Sequence, residues 1–393
     1  MTPYIGLPYF LLLGLFILPL IVAGARGKAD GRWIVAATFF ILPLQYWRWS
    51  DFGPGVVLPE LPFLLVFAIY EWVVLRVLLR QSEPKKCGWA LPLALAPLVL
   101  AKVVPVAFPG WQLGFSGISY VTFRVLDMVW MITDGATGAV RFLDYAIFVF
   151  FFPTISSGPI DRFRRFQGEW RRQRSAEEFW DDLGEGIHHL FRGMLYKGII
   201  AALIEQYLLK GARILPGWSG VPWYAVVYSA DLFFDFAGYS AFAVGVSRIF
   251  GIHTPENFHL PWAAPNIKEF WNRWHISLSH WFRDHIYMRF LLQAVRRRWF
   301  KSRVVAARLG YFVSFGLMGL WHGLALHYIL YGLYHATLLS GYDWYLEWKK
   351  RRAFEWPLPR VVRQVLAIGI TAVFVVIGLW IFSGHWVYFP PNE

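Results

Sequence analysis

Two histidines lie in otherwise apolar stretches of the sequence, where they could carry acid–base chemistry. His275 lies within 266–290, which reads NIKEFWNRWHISLSHWFRDHIYMRF, and His322 lies within 316–335, which reads GLMGLWHGLALHYILYGLYH. An imidazole titrates near neutral pH, so it can take a proton from a hydroxyl in one step and return it in the next. Each histidine directly follows a tryptophan, and we therefore treat the two as a candidate catalytic pair.

The segment 266–290 predicts one helix with a polar face. Asn266 followed by Glu269 is a capping-box pattern, and the proline before Asn266 favours an extended entry. Residues three and four apart share a helix face. The polar face would contain Asn272, His275 and Ser279, edged by Trp271, with Arg273 on another face. Such a helix either faces protein, water or a substrate path, or lies at the membrane interface with its tryptophans and arginines as anchors.

His322 stands between Gly319 and Gly323, and small residues four apart allow helices to pack closely. That spacing alone is typical of a packing helix with one hydrogen-bonded histidine. A second polar face follows, however, at a spacing of four residues, and it contains His327, Tyr331 and His335. Since ionisable groups inside a membrane are costly, this second face favours a pathway or a site.

Direct group transfer is the chemistry that suits this pair. The sequence shows no Ser, His, Asp arrangement, and its only cysteine, Cys87, lies beside a basic loop without a histidine or acid in a recognisable arrangement. Transfer without a covalent intermediate needs one base and one group that stabilises the developing oxyanion. Zinc is the competing use of paired histidines, but no HExxH motif or nearby acid at ligand spacing is present, so we predict no metal.

The elements that position these residues are predicted to cross a membrane. Of 393 residues, 57% are hydrophobic and only 16% are charged, whereas a soluble domain carries roughly a quarter charged residues. The stretches 7–25, 87–101 and 365–384 contain no charge, and a span needs about 20 predominantly apolar residues. We predict an all-α polytopic membrane protein with about ten or eleven transmembrane helices, by the length rule. We predict a single domain that covers residues 1–393. It would contain N-terminal spans in 1–115, a catalytic core in 116–345 and a C-terminal span in 346–393.

The net charge of +13 follows from basic clusters in short connections and does not indicate nucleic acid. This positive-inside bias predicts cytoplasmic loops near residues 76–86, 162–174, 296–303 and 349–352, and an N-terminus outside the cell membrane. Residues 162–185 would form a cytoplasmic surface helix. The apolar segments 115–133 and 139–158 must then share one crossing. One of them would enter and return, which requires a cavity that satisfies its polar backbone.

Two motifs together resemble the signature of the membrane-bound O-acyltransferases: FWNRWHISLSHWFRDHIYMRF, which contains His275, and GLWHG, which contains His322. The two histidines are 47 residues apart. Further motifs are similar to the branch that transfers D-alanyl groups to lipoteichoic acid. They are GISYVTFR at 117–124, FFPTISSGPIDRFRRF at 151–166, FDFAGYSAFAVG at 234–245, and the closing IFSG. The resemblance implies that His322 is the catalytic residue and His275 its functional partner.

The same resemblance implies a ring of transmembrane and half-spanning helices around a thin central floor with a tunnel. The donor would be D-alanine on the phosphopantetheine arm of a small acidic carrier protein, with no permanently bound cofactor. The acceptor would be a hydroxyl of an extracytoplasmic polymer. A basic and apolar carrier dock is predicted by charge complementarity at Leu291, Leu292, Arg296, Arg297 and Arg298. Those arginines could equally serve only to set topology.

The mechanistic hypothesis assigns His322 as general base, with His275 and Asn272 at the thioester carbonyl. Trp271, Arg273, Ser279 and Trp321 would shape the tunnel. Two alternatives stay open: O-acetyl transfer to an exported polysaccharide, and a lipid or polymer transporter without bond making. The sequence also leaves open which polymer is the final acceptor, whether a covalent relay intervenes and whether a small helper membrane peptide takes part.

Overall fold

The computed structural model describes residues 3–4, 6–46, 49–53, 56–136, 140–213 and 217–385. The predicted C-terminal region extends to 393, so its residues 386–393 lie outside the described part. The described fold is helical, which confirms the all-α class. The exception is one short antiparallel hairpin that pairs β1 (Trp49–Gly53) with β2 (Val56–Pro59), and the sequence analysis did not predict it.

Eight helices lie within the described residues of the first half of the chain. They are α1 (Leu7–Gly24), α2 (Arg32–Tyr46), α3 (Glu60–Leu79), α4 (Ala90–Ala107), α5 (Ile118–Thr133), α6 (Phe142–Phe150), α7 (Phe163–Trp170) and α8 (Ala176–Gly193). Short 3₁₀ turns lie at Pro84–Lys86 and Phe152–Thr154.

The second half begins with wide turns of π-helix at Met194–Ala201 and Ile204–Leu209. The helices that follow are α9 (Lys210–Arg213), α10 (Gly217–Ile249), α11 (Ile267–Trp271), α12 (Ile276–Phe282), α13 (Met288–Arg296), α14 (Arg303–His322), α15 (Leu326–Arg351) and α16 (Arg360–Ser383). A 3₁₀ turn, Pro261–Ala263, precedes α11, and a π-helical turn, Arg283–Tyr287, joins α12 to α13.

Six helices in the described ranges are long and apolar enough to cross a membrane, so the chain is a multi-pass membrane protein. They are α1, α3, α4, α14, α16 and the part of α10 from Gly220 to Ile249. The other predicted spans form shorter or more polar helices, and the count of ten or eleven crossings stays a prediction. Helix α6 has nine residues, about 14 Å, which is too short to cross. This length suits the predicted half-crossing segment.

The chain divides into two compact units that alternate along the sequence. The first contains Met1–Met194 and Tyr239–Pro255, and the second contains Leu195–Gly238 and Glu256–Glu393. Both predicted catalytic histidines belong to the second unit. The single-domain assignment remains a prediction.

In the first unit, a buried arginine fixes the irregular segment after α6. The Arg124 side chain, fully buried on α5, donates to the carbonyl oxygens of Phe148 at 2.9 Å and Thr154 at 2.7 Å. A buried guanidinium requires such acceptors because an unsatisfied charge inside a protein is costly. The motif arginine at 124 therefore supports the fold of the segment 151–166.

The predicted surface helix 162–185 is two helices, α7 and α8, because a new helix begins at a capping box of Ser175 and Glu178. In α8, the buried carboxylate of Asp182 accepts from Arg174 at 3.1 Å and lies 2.6 Å from His253 Nε2. Burial raises the pKa of Asp182, but the hydrogen bonds from His253 and Arg174 outweigh it and hold the pKa below its usual value. This carboxylate ties α8 to the segment after α10.

Replacing Asp182 with Asn is expected to lower the free energy of unfolding by about 3 kcal/mol, because the Arg174 side chain, only 4% exposed, loses its counter-ion. Thermal unfolding in detergent measures this loss. The neighbouring exposed Asp181→Asn substitution is the matched control and should leave the melting temperature unchanged. A depressed carboxyl pKa contributes stability that is lost as the pH falls through the folded-state pKa, so the difference between the two proteins should begin to shrink only as the pH falls below about 4. Equal melting temperatures at neutral pH would contradict this role.

In the second unit, α14 and α15 form a closely packed antiparallel pair. A Cβ atom on Gly319 would collide with the carbonyl oxygen of Tyr328, and one on Gly332 would collide with that of Phe315. Only glycine allows two backbones to approach this closely. The packing role predicted for Gly319 is confirmed, and it places His322, the last residue of α14, beside α15.

Candidate active site

The helix predicted over 266–290 is interrupted at His275. Helix α11 ends at Trp271, and α12 begins at Ile276 with His275 as its N-cap. The His275 backbone has φ 44° and ψ 53°, a left-handed conformation that costs a residue with a side chain about 1–2 kcal/mol. The prediction of one polar face shared by Asn272, His275 and Ser279 is therefore wrong, because no continuous helix joins them. The Asn266 half of the predicted capping box is confirmed, since its Oδ1 accepts from Glu269 N–H at 2.9 Å, whereas the Glu269 side chain accepts from Asn272.

Hydrogen bonds on both sides hold the strained turn at His275. The N–H of His259 donates to the carbonyl oxygen of Arg273 at 3.0 Å, and the N–H of Ile276 donates to that of Asn257 at 2.9 Å. The Asn257 side chain is fully buried and accepts from the Ser277 hydroxyl at 2.6 Å. Strained residues held in this way cluster at functional sites. Sequence analysis missed Asn257 because it lies in an irregular segment without periodicity.

The His275 imidazole is buried and neutral. It is 4% exposed, and the Phe236 ring meets it edge to face at 4.7 Å between centroids. Among the described residues, its Nε2 has no hydrogen-bond partner. Burial lowers the pKa of His275, and a positive charge on His322 lowers it further, so the two histidines lie within electrostatic range. An imidazole nitrogen in this state can make one hydrogen bond to a substrate.

Aromatic rings of four described residues lie around the imidazole of His322, which is itself partly exposed. The centroid of Trp321 lies 4.5 Å away, and Phe382 meets the imidazole edge-on at 4.9 Å. Tyr328 and Tyr331 lie at 5.9 Å and 6.0 Å. Phe382 belongs to the IFSG motif of the last span. The motif marked this residue as part of the family resemblance, but the sequence did not show that Phe382 lies next to His322.

The polar face predicted on α15 contributes two buried residues to the same region. Tyr331 contacts both His322 and His335, with 4.6 Å between the centroids of Tyr331 and His335. His335 in turn meets the Trp271 indole at 5.0 Å. Within the described chain, Trp271 Nε1 and both His335 ring nitrogens have no hydrogen-bond partner. A row of rings therefore runs from His322 through Tyr331 and His335 to Trp271, the last of which was predicted as a tunnel residue.

Three other predicted site residues make contacts within their own segment. The exposed Asn272 amide donates to Glu269 at 3.3 Å, and Arg273 lies 3.6 Å from the same carboxylate. The Ser279 hydroxyl donates to the carbonyl oxygen of Trp274 at 3.1 Å. None of these contacts joins Asn272, Arg273 or Ser279 to His322. The role of Asn272 at the thioester carbonyl and those of Arg273 and Ser279 in the tunnel stay predictions.

The predicted docking surface on α13 needs one correction. Leu291 is only 8% exposed and packs with Ala294 and Ala306, so it supports the helix from inside. Leu292 is 63% exposed, and with the exposed Met288 and Val295 it forms an apolar stripe on α13. Arg296, Arg297 and Arg298 are exposed at the end of this stripe, and the exposed Trp299 lies beyond the end of the helix.

The sequence model of the membrane-bound O-acyltransferase (MBOAT) family matches residues 93–384. The chain therefore belongs to the membrane-bound O-acyltransferase family, and it is an acyltransferase. It is 40% identical to the "Teichoic acid D-alanyltransferase" of Bacillus subtilis (strain 168), an alignment that covers 98% of both chains. It is 36% identical to the protein of the same name from Lacticaseibacillus rhamnosus, over 98% of this chain and 97% of the relative.

A second group of relatives matches less completely. The "Probable alginate O-acetylase AlgI" of Pseudomonas aeruginosa is 33% identical over 92% of this chain, but the alignment covers 59% of that protein. The family resemblance drawn from the motifs is thus confirmed, and the branch resemblance agrees with the near full-length relatives. Membership in an acyltransferase family sets aside the transporter alternative.

Proposed function

We propose that this protein transfers D-alanyl groups from a carrier-protein thioester to a hydroxyl of teichoic acid. The observation that carries the proposal is a strained, buried histidine within electrostatic range of His322, in a chain similar over nearly its full length to teichoic acid D-alanyltransferases. The relatives support the substrate class, and the two imidazoles support the chemistry. The site supplies one histidine with an accessible edge and one buried neutral histidine, which suits a base and a hydrogen-bonding partner for the carbonyl.

In the proposed reaction, the acceptor hydroxyl oxygen attacks the thioester carbonyl carbon. His322 takes the hydroxyl proton as the new carbon–oxygen bond forms. A hydrogen bond from His275 stabilises the charge that develops on the carbonyl oxygen. The tetrahedral intermediate then collapses, the carbon–sulfur bond breaks, and protonated His322 returns its proton to the leaving thiolate. The products are a D-alanyl ester and a free thiol, and no oxidant or further reactant is required.

The donor is proposed to be a phosphopantetheine thioester on a small acidic carrier protein that docks on α13. The exposed side chains of Met288, Leu292 and Val295 form an apolar stripe on one face of α13, and the exposed Trp299 follows just after the helix ends. The arginines at 296–298 lie at the end of that face and would attract acidic side chains. Charge pairs of this kind mainly raise association rates and fix orientation, while the apolar stripe supplies buried contact area.

Replacing Arg296 and Arg297 with Glu is expected to raise the KM for the charged carrier by roughly tenfold or more, because like charges would then face each other. The kcat at saturating carrier should change little, since neither arginine is part of the reacting centre. The same reversal at Arg351 and Arg352 is the matched control, since both are exposed and lie on another helix end. Steady-state transfer rates at several carrier concentrations separate the two parameters. An unchanged KM would place the carrier elsewhere.

The function itself is tested by reconstitution. Purified protein in vesicles receives carrier loaded with radiolabelled D-alanine, and the polymer fraction is analysed for hydroxylamine-sensitive label. We expect label on teichoic acid from the D-alanyl carrier. Label that stays on the carrier when protein and acceptor are both present would contradict the proposal.

O-acetyl transfer to an exported polysaccharide is the second candidate, favoured by the similarity to the probable alginate O-acetylase. The same vesicles supplied with labelled acetyl donor and alginate distinguish the two. Faster acetyl transfer than D-alanyl transfer would favour the second candidate.

A further inference from the structure

A groove runs between α15 and α16 in the second unit, and it shares no lining residue with the two histidines or their ring contacts. It has a volume of about 850 Å³, within the usual range for clefts that hold a small molecule. Its walls are mainly apolar and aromatic. Residues that define its shape are Leu338, Tyr345 and Lys349 on α15, and Arg363, Ile370 and Phe374 on α16.

The groove has a basic end and an apolar end. Lys349 lies near the end of α15 and Arg363 near the start of α16, so the helical hairpin brings both cations to the same end. Leu338 and Phe374 are each eleven residues away along their helices, about 16 Å. That length is close to half the hydrocarbon thickness of a bilayer, about 15 Å. The groove is therefore about as long as one leaflet is thick, and its charges lie at one end.

The two cations in the groove have no counter-ion in the described part of the chain. Arg308, by contrast, pairs with Glu347 at 3.0 Å. The indole N–H of Trp356, which also lines the groove, donates to the Tyr345 hydroxyl at 2.8 Å. Aromatic side chains with a polar edge are typical of the headgroup level of membranes. The basic end thus has the character of a headgroup site.

We propose that this groove binds one anionic phospholipid. Its phosphate lies between Lys349 and Arg363, and an acyl chain follows Leu338, Ile370 and Phe374. An apolar helix of a partner protein would fit the walls but would leave both cations without a complementary charge. An anionic lipid satisfies the charges and the apolar walls together.

The experiment measures lipid binding to the purified full-length protein in detergent by native mass spectrometry. The probes are phosphatidylglycerol, phosphatidylcholine with the same acyl chains, and glycerol 1-phosphate. One variant carries Lys349→Gln and Arg363→Gln, and its matched control carries Lys350→Gln and Arg360→Gln, which remove the same charge from exposed residues outside the groove.

A second pair of variants tests the apolar part. Gly341 lines the groove, and a Cβ atom there would meet nothing within 4 Å, so Gly341→Phe fills the space without a backbone collision. Gly369 is equally open but lies outside the groove, so Gly369→Phe is its control. Circular dichroism and elution volume verify that all four variants are folded.

We expect the double glutamine variant to bind phosphatidylglycerol roughly 30-fold more weakly, at about 1 kcal/mol per basic residue. Its binding of phosphatidylcholine should be unchanged, and Gly341→Phe should lose one bound molecule of phosphatidylglycerol. Both controls should bind as the unaltered protein does. Equal affinity for the two lipids would show an ordinary annular lipid and overturn the proposal. Saturation by glycerol 1-phosphate alone would show a phosphate site that is not a lipid site.

Discussion

Replacing His322 with Ala is expected to reduce D-alanyl transfer by roughly 10²- to 10⁴-fold, the range that a positioned general base contributes. The acceptor hydroxyl is a poor nucleophile while it keeps its proton, and the imidazole of His322 is the partly exposed base among the surrounding rings. Initial rates in vesicles, with labelled D-alanyl carrier and teichoic acid, measure the loss. The fall should appear in kcat, because the substitution leaves the proposed carrier dock on α13 intact.

The control for this prediction removes a histidine of no proposed role. His188 is exposed on α8, so His188→Ala should transfer at the unaltered rate. Carrier binding by His322→Ala, measured by co-elution, should equal that of the unaltered protein, which separates chemistry from folding. A His322→Ala protein that works within threefold of the unaltered rate would remove this residue from the mechanism.

The second large effect is expected at His275, where side chain and backbone can be tested separately. His275→Gly and His275→Ala both remove the imidazole, and both should lose roughly 10²- to 10³-fold in kcat, as for loss of one oxyanion donor. Their stabilities should differ. Glycine adopts the left-handed backbone freely, whereas alanine keeps a cost of about 1 kcal/mol. The glycine variant should therefore melt at a higher temperature than the alanine variant.

Thermal unfolding in detergent and transfer rates are both measured for His275→Gly and His275→Ala. Equal melting temperatures would show that the turn around Asn257 does not strain residue 275. Transfer by the glycine variant at the unaltered rate would show that only the turn, and not the imidazole, is needed.

The motifs predicted the membrane-bound helical class, the family and the two histidines because these depend on local signals. Charge-free stretches mark spans by length alone, and Gly319 marks close helix packing by spacing alone. The prediction that His322 lies in an apolar helix depended only on the residues of that helix, and the helix forms as α14.

The surroundings of His275 could not be predicted because they depend on contacts distant in sequence. A helical pattern continues through 266–290, and nothing in that segment shows that Asn257 pairs across residue 275 and breaks the helix. Asn272 thereby becomes an exposed residue that bonds to Glu269. Leu291 was wrongly grouped with Leu292 for a similar reason, since only the packing of α13 on α14 separates the buried residue from the exposed one.

Chemical rescue of a His322→Gly protein tests the central claim most directly. The cavity left by the side chain should admit free imidazole, which can then take the acceptor proton in its place. We predict that imidazole restores D-alanyl transfer from the carrier thioester, in proportion to its unprotonated fraction as the pH is varied, and that it has no effect on the unaltered protein. Transfer by His322→Gly at a substantial rate that imidazole leaves unchanged would contradict the account.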